Sequence, residues 1–178
     1  MSCAALLLAV VCVASSISCS EGAKDTRKDA SYTVESQGFT YVPIIPTSKD
    51  GKEMWKYVTS DPGSGWYSIN FNDASWAEGE GSFGTRNHDK TAWTNKDIWL
   101  RKEFTLTDGT AQVVDSLALY VSHDEDCQIY INGIVAAELG GYADYKYVSI
   151  SDKARASIKI GERNVIAVHC FNGGNTLR

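Results

Sequence analysis

The chain has 178 residues, of which 43% are hydrophobic and 22% charged, a mixture that forms one globular core and excludes disordered or collagen-like classes. Its net charge of −5 excludes a phosphate-backbone partner, because binding nucleic acid requires a basic face that releases counterions. Neutral ligands fit that charge better, and fifteen glycines, three prolines and an 11% aromatic content favour short strands joined by Gly turns.

In chain order, Ala4 to Ile17 is an uncharged apolar run that closes on the small residues Ser15, Ser16 and Ser18 before Cys19. It is shorter than the roughly 20 residues of a membrane span and has the form of a secretory signal. Cys19, followed by Ser20 and Glu21, sits where a lipoprotein signal places its acylated cysteine. Residues 1–19 are therefore expected to be a lipoprotein-type signal peptide, the chain exported, and the membrane reached only through a lipid anchor. Cys3, Cys12 and Cys19 fall in this leader, leaving Cys127 and Cys170 in the mature domain, either bridged in an oxidising compartment or kept as two buried thiols.

Residues 20–52 read as a tether and extended lead-in: SEGAKDTRKDAS lacks apolar periodicity, and Pro43 and Pro46 confine the following stretch to an edge or an extended entry. The body is expected over 53–178. Leu117, Leu119 and Val121 alternate with Ala118 and Tyr120, and Cys127, Ile129 and Ile131 alternate with Gln128 and Tyr130, the period of half-buried strands. Asn132-Gly133 lies between Cys127–Ile131 and Ile134–Leu139 and signals a type I′ hairpin, whose central residues both need positive φ. After Gly140-Gly141 comes a strand over Tyr145–Ile150, then a helical turn in Ser151–Ile158 capped by Ser151. Asn164–Phe171 is apolar on both faces, the mark of a central strand. These elements predict an all-β sandwich, with a closed barrel as the alternative.

A spaced series runs through the body: Trp55-Lys56-Tyr57, Gly65-Trp66, Asn72-Asp73-Ala74-Ser75-Trp76, Gly81-Ser82-Phe83-Gly84-Thr85, Thr91-Ala92-Trp93 and Asp97-Ile98-Trp99-Leu100-Arg101. His123-Asp124-Glu125-Asp126, Tyr130-Ile131-Asn132-Gly133, Gly140-Gly141-Tyr142 and Gly161-Glu162-Arg163-Asn164 continue it. The series resembles the jelly-roll, galactose-binding-like domains attached to bacterial β-galactosidases and other glycoside hydrolases of family two, and it covers roughly Glu53 to Gly174. That resemblance implies a jelly-roll β-sandwich whose partner is a glycan or a glycoside hydrolase catalytic domain. Relatives add an apolar strand after Asn172-Gly173-Gly174, whereas this sequence closes on Asn175-Thr176-Leu177-Arg178, so a truncated final strand and a fragment of a longer hydrolase are also expected readings.

Catalytic constellations are sparse. His88, His123 and His169 are scattered, and no nucleophile elbow or phosphate-cradling loop accompanies them. Glu78 and Glu80 near Trp76 would have to act as a glycosidase pair, and a solvated loop is the simpler account. No cofactor is required. Asp124 and Asp126 either hold a structural calcium, which this fold often contains, or form a plain charged turn. For ligand binding, the Gly-rich segment Gly79–Thr94 places Trp93, His88 and Asp89 together with Trp76, so that Trp93 would offer a ring face to a sugar while His88 and Asp89 bond its hydroxyls. The alternative puts these tryptophans in the core. Arg101 is expected to pair with Glu103 or Asp97. Mass spectrometry of the mature N-terminus is expected to find cleavage before Cys19 and a lipid on that residue; an unmodified chain starting at Met1 would remove the export reading.

Overall fold

A computed structural model describes residues 9–14, 40–48, 51–107, 114–124 and 126–172. They form an all-β sandwich with one short helix, as the alternation and turn signals predict. Cys19, Glu125 and the segment after Asn172 lie outside the described residues.

The first sheet has four strands. β1 (Ala9–Ala14) pairs antiparallel with β2 (Thr40–Ile45) on one side and with β8 (Ala118–His123) on the other, and β11 (Ala143–Ser149) completes the sheet beyond β8. β1 lies inside the apolar run Ala4–Ile17. β2 ends this sheet, where Pro43, with no N–H to donate, can be tolerated. Ile45 is nonetheless buried, so the lead-in contributes to the core.

Six strands form the second sheet, in the order β10 (Ile134–Leu139), β9 (Asp126–Ile131), β12 (Arg163–Phe171), β7 (Asp97–Thr105), β3 (Met54–Val58) and β4 (Ala77–Glu80). A parallel pair, β5 (Phe83–Gly84) and β6 (Thr91–Ala92), stands apart. The main core draws Leu119 and Val121 from the first sheet and Trp55, Leu100, Ile129 and Val168 from the second. At roughly 1.5–3 kcal/mol for each large apolar side chain removed from water, this layer is the main favourable term in folding.

β12 is central, as its two-sided apolar pattern requires, and is flanked by β7 and β9. Its second buried face has a specific cause. The segment between β3 and β4 lies over the outer face of the sheet and forms a separate cluster in which Trp66 and Trp76 pack on Trp99 and Ala167.

The Asn132-Gly133 turn joins β9 to β10 with φ of 51° and 88°, the left-handed values that a type I′ turn demands. Asn132 does more than turn the chain. Its Nδ2 donates to Ser157 O and Asn164 Oδ1, and its Oδ1 accepts from Val165 N at 2.9 Å. Asn164 in turn donates to Lys159 O and Glu162 O, so the two amides satisfy the buried backbone where β9, β12 and α1 (Asp152–Ala156) meet. Ser151 caps α1, its Oγ accepting from Ala154 N. A Cβ at Gly133 would meet nothing closer than 3.6 Å, so the cost of a side chain there is conformational rather than steric. Gly133→Val is therefore expected to lower stability by about 1–3 kcal/mol in denaturant unfolding; an unchanged midpoint would show that the turn does not bear this strain.

Candidate functional site

The segment Gly79–Thr94 folds back on itself instead of projecting as a platform. Gly79 permits this: a Cβ built there would sit 2.8 Å from Thr91 Oγ1 and 2.9 Å from Phe83, so only glycine allows β5 and β6 to lie against β4. Trp93 N then donates to Gly84 O, and the indole enters the main core, only 2% exposed. The expectation that Trp93 turns a ring face to solvent is thus corrected: deleting the ring would open a core cavity. Trp76 is likewise buried, in the second cluster. Asp89 accepts from Ser82 Oγ at 2.9 Å and from Arg86 N at 2.7 Å, which makes it the internal brace of the loop. Of the four residues expected at a sugar platform, His88 alone is largely exposed, its Nε2 3.8 Å from Asp89. Asp124 accepts from Arg86 at 3.1 Å, so its carboxylate already faces a cation, while Asp126 begins β9. Among the described residues no group of three or more His, Cys, Asp or Glu side chains gathers at metal-ligand spacing.

Arg101 pairs with neither Asp97 nor Glu103, contrary to expectation. Glu103 is taken by Arg163 and Asp97 by His169. The Arg101 guanidinium, 1% exposed, instead reaches the covering segment, donating from Nε to Asp73 Oδ2 at 2.7 Å and from one terminal nitrogen to Trp66 O and Ser68 O. Lys56 Nζ shares the same carboxylate at 2.8 Å. Burial alone would raise the Asp73 pKa, but the hydrogen bonds from Arg101 and Lys56 and their charges outweigh it and hold the carboxyl below its ordinary value. A cleft of about 310 Å³ opens beside this cluster between Met54, Glu78 and Lys102. Its Lys102 is engaged by Glu53 at 2.7 Å, so the charges there serve the fold.

The covering segment leaves the other part of the outer face open. Strand register sets one row that runs from this open part to the covered part: Glu138 on β10 lies opposite Gln128 on β9, Gln128 opposite His169 on β12, and His169 opposite Trp99 on β7, which is buried beneath the covering segment. With strands about 4.8 Å apart, the row spans roughly 15 Å. Each member is held by its neighbours. His169 stacks on Trp99 with ring centroids 4.7 Å apart and planes 7° from parallel, and its Nε2 lies 2.7 Å from Asp97 Oδ1. Gln128 Nε2 donates to Glu138 Oε1 at 2.7 Å, while Gln128 Oε1 accepts from Tyr130 OH at 3.1 Å. Tyr130 stacks flat on Tyr67 at 4.6 Å, and its phenol is pushed above the ordinary tyrosine pKa by burial, by Tyr67 and by Glu138, so it remains a hydroxyl donor at neutral pH. A shallow pocket of about 300 Å³ adjoins Gln128, Glu138 and Gly140. Alternation alone does not single out this row, because Gln128 and Tyr130 read as ordinary solvent-facing partners of Cys127, Ile129 and Ile131. The usable signal is that both carry planar hydrogen-bonding or aromatic groups.

No family model and no curated protein matches the chain. Among solved structures it is similar to a β-glucuronidase from glycoside hydrolase family 2, with 20% identity, a TM-score of 0.50, and coverage of 70% of this chain and 14% of that one. A glycosyl hydrolase family 2 member from Bacteroides cellulosilyticus aligns at 18% identity and a TM-score of 0.50, over 71% of this chain and 18% of its own. The fold is that of a segment of family 2 glycosidases. The chain spans less than a fifth of either structure's length, so the resemblance drawn from the motif series holds at the level of an all-β sandwich.

Because Asp73 titrates lower folded than unfolded, its contribution to stability is present above the unfolded value of 3.8 and is lost as the pH falls through the folded value. Asp73→Asn is expected to cost about 2–3 kcal/mol at neutral pH, by leaving a buried guanidinium without its counter-charge, and to flatten the acid limb of the stability profile. Denaturant unfolding between pH 2 and 7 measures both, and a variant whose acid limb matches the parent would refute the pairing.

Proposed function

We propose that this chain is a non-catalytic carbohydrate-binding module serving a glycan-degrading protein of the family 2 type. The observation that supports it is the row Glu138–Gln128–His169, with His169 backed by the buried ring of Trp99. Sugar hydroxyls both donate and accept hydrogen bonds, and a carboxylate, an amide and an imidazole fixed on adjacent strands meet them with little ordering cost. The half-buried rings of His169, Tyr67 and Tyr130 supply apolar faces for the C–H side of a sugar. Asp97 and Glu138 are each engaged by a neighbouring side chain, which suits recognition better than the acid and nucleophile pair of a glycosidase. Both similar structures are of family 2 glycosidases, one named as a β-glucuronidase, and in them this fold is a small share of the chain; that favours work beside a catalytic domain. Export, lipid attachment at Cys19, which by cleavage there would remove β1 from the mature domain, and docking to such a domain belong to the same proposal.

Glycan-array binding followed by calorimetry tests the proposal. His169→Ala and Gln128→Ala are each expected to weaken binding about tenfold or more, equivalent to about 1.4 kcal/mol, with thermal unfolding near that of the parent. Variants that bind as the parent does would move the site elsewhere. A parent silent on every glycan that still associates with a separately expressed family 2 catalytic domain would favour a docking module without a sugar site.

A further inference from the structure

Cys127 and Cys170 are direct partners across the antiparallel pair β9–β12. Which kind of partner they are follows from the ladder. Asn132 N donates to Val165 O at 2.9 Å, which marks Asn132 and Val165 as a hydrogen-bonded position. Hydrogen-bonded and non-hydrogen-bonded positions alternate along an antiparallel pair. Counting along the register, Ile131 with Ile166, Ile129 with Val168 and Cys127 with Cys170 are therefore non-hydrogen-bonded. At such positions the Cα atoms stand about 4.5 Å apart and the side chains lean together, inside the roughly 4.4–6.8 Å range that a disulfide requires. Both residues are free cysteines and buried on the core face of the sheet, and the Cys170 thiol is pushed well up by its contact with the Cys127 thiol and by burial.

We infer that Cys127 and Cys170 form a cross-strand disulfide when the chain folds in an oxidising compartment. The two thiols lose two protons and two electrons as the S–S bond forms, and a small disulfide oxidant takes them up and leaves as two thiols. Access comes during folding: before β9 docks on β12 both thiols are open, and once the domain is folded both are buried in the core. The bridge would close a loop of about 40 residues, long enough for a substantial loss of unfolded-state entropy. It would also lock together the strands that carry Gln128, Tyr130 and His169. The inference rests on register and burial, and stands whether or not those residues bind a sugar.

Refolding the full chain from denaturant and reductant into a buffer of oxidised and reduced glutathione, followed by alkylation and peptide mapping without reductant, tests it. The expected result is a linked peptide pair containing Cys127 and Cys170, about 2 Da lighter than the two reduced peptides together, and a Tm higher than that of the reduced protein by on the order of 10 °C. The double variant Cys127→Ala/Cys170→Ala should lose that dependence on reductant. Refolded protein in which both thiols alkylate freely, or in which either is joined to Cys3, Cys12 or Cys19, overturns the inference.

Discussion

A guanidinium buried under a loop organises the second sheet. Arg101 sits on the outer face of β7, where a charge without partners would cost several kcal/mol. The segment between β3 and β4 supplies those partners: one carboxylate, Asp73, and two backbone carbonyls, Trp66 and Ser68. A planar group with five donors can reach all three from one position, which an ammonium on a flexible stem does less well. In return the segment is pinned, and Trp66 and Trp76 come down on Trp99 and Ala167. The polar and apolar parts of this contact depend on each other, because Phe71, packed on Trp76, lies over the guanidinium, and the ion pair fixes where the segment lands. The cover reaches only part of the sheet. Where it stops, His169, Gln128 and Glu138 remain at the surface, so the pairing that completes the fold also delimits the open row.

Polar satisfaction works differently at the Asn132-Gly133 end. Asn132 and Asn164 are neutral, and an amide both donates and accepts, so two side chains serve backbone groups from α1, from the turn before β12 and from β12 itself. Aspartate in either place would lack the donors. The hairpin turn is thereby tied to the central strand, which fixes the β9–β12 register. Upon that register depend both the alignment of Gln128 with His169 and the juxtaposition of Cys127 with Cys170.

The proposed recognition surface lies on strands, whereas the sequence points to a loop. A row on paired strands is held by the sheet ladder and by side-chain contacts on every member, so little needs to be ordered when a ligand arrives. The loop Gly79–Thr94 closes the sandwich instead. Asp89 braces it from within, Arg86 ties it to Asp124, and Trp93 anchors it in the core.

Much of this architecture is local and therefore legible in the amino-acid order. Alternation with period two marks β8, β9 and β12, Asn132-Gly133 marks the hairpin because few dipeptides accept two positive φ angles, and Ser151 marks the start of α1 through its side-chain oxygen. Alternation divides each strand into two faces, but it does not say which face meets another sheet, which meets a covering loop and which meets water. That choice decides Trp93, an aromatic suited equally to a platform and to a core, and it decides Arg101, whose partner lies 28 residues away instead of two or four. The row from Glu138 to Trp99 draws on four strands widely separated along the chain, and its members become neighbours only through the registers of three pairings. The sequence by itself determined the strands β8 to β12, the hairpin and the helix cap, because their causes lie within a few residues. Only the tertiary structure decided the buried ion pair, the inward Trp93 and the surface row, because long-range register and the cover over one sheet face set which side chains touch.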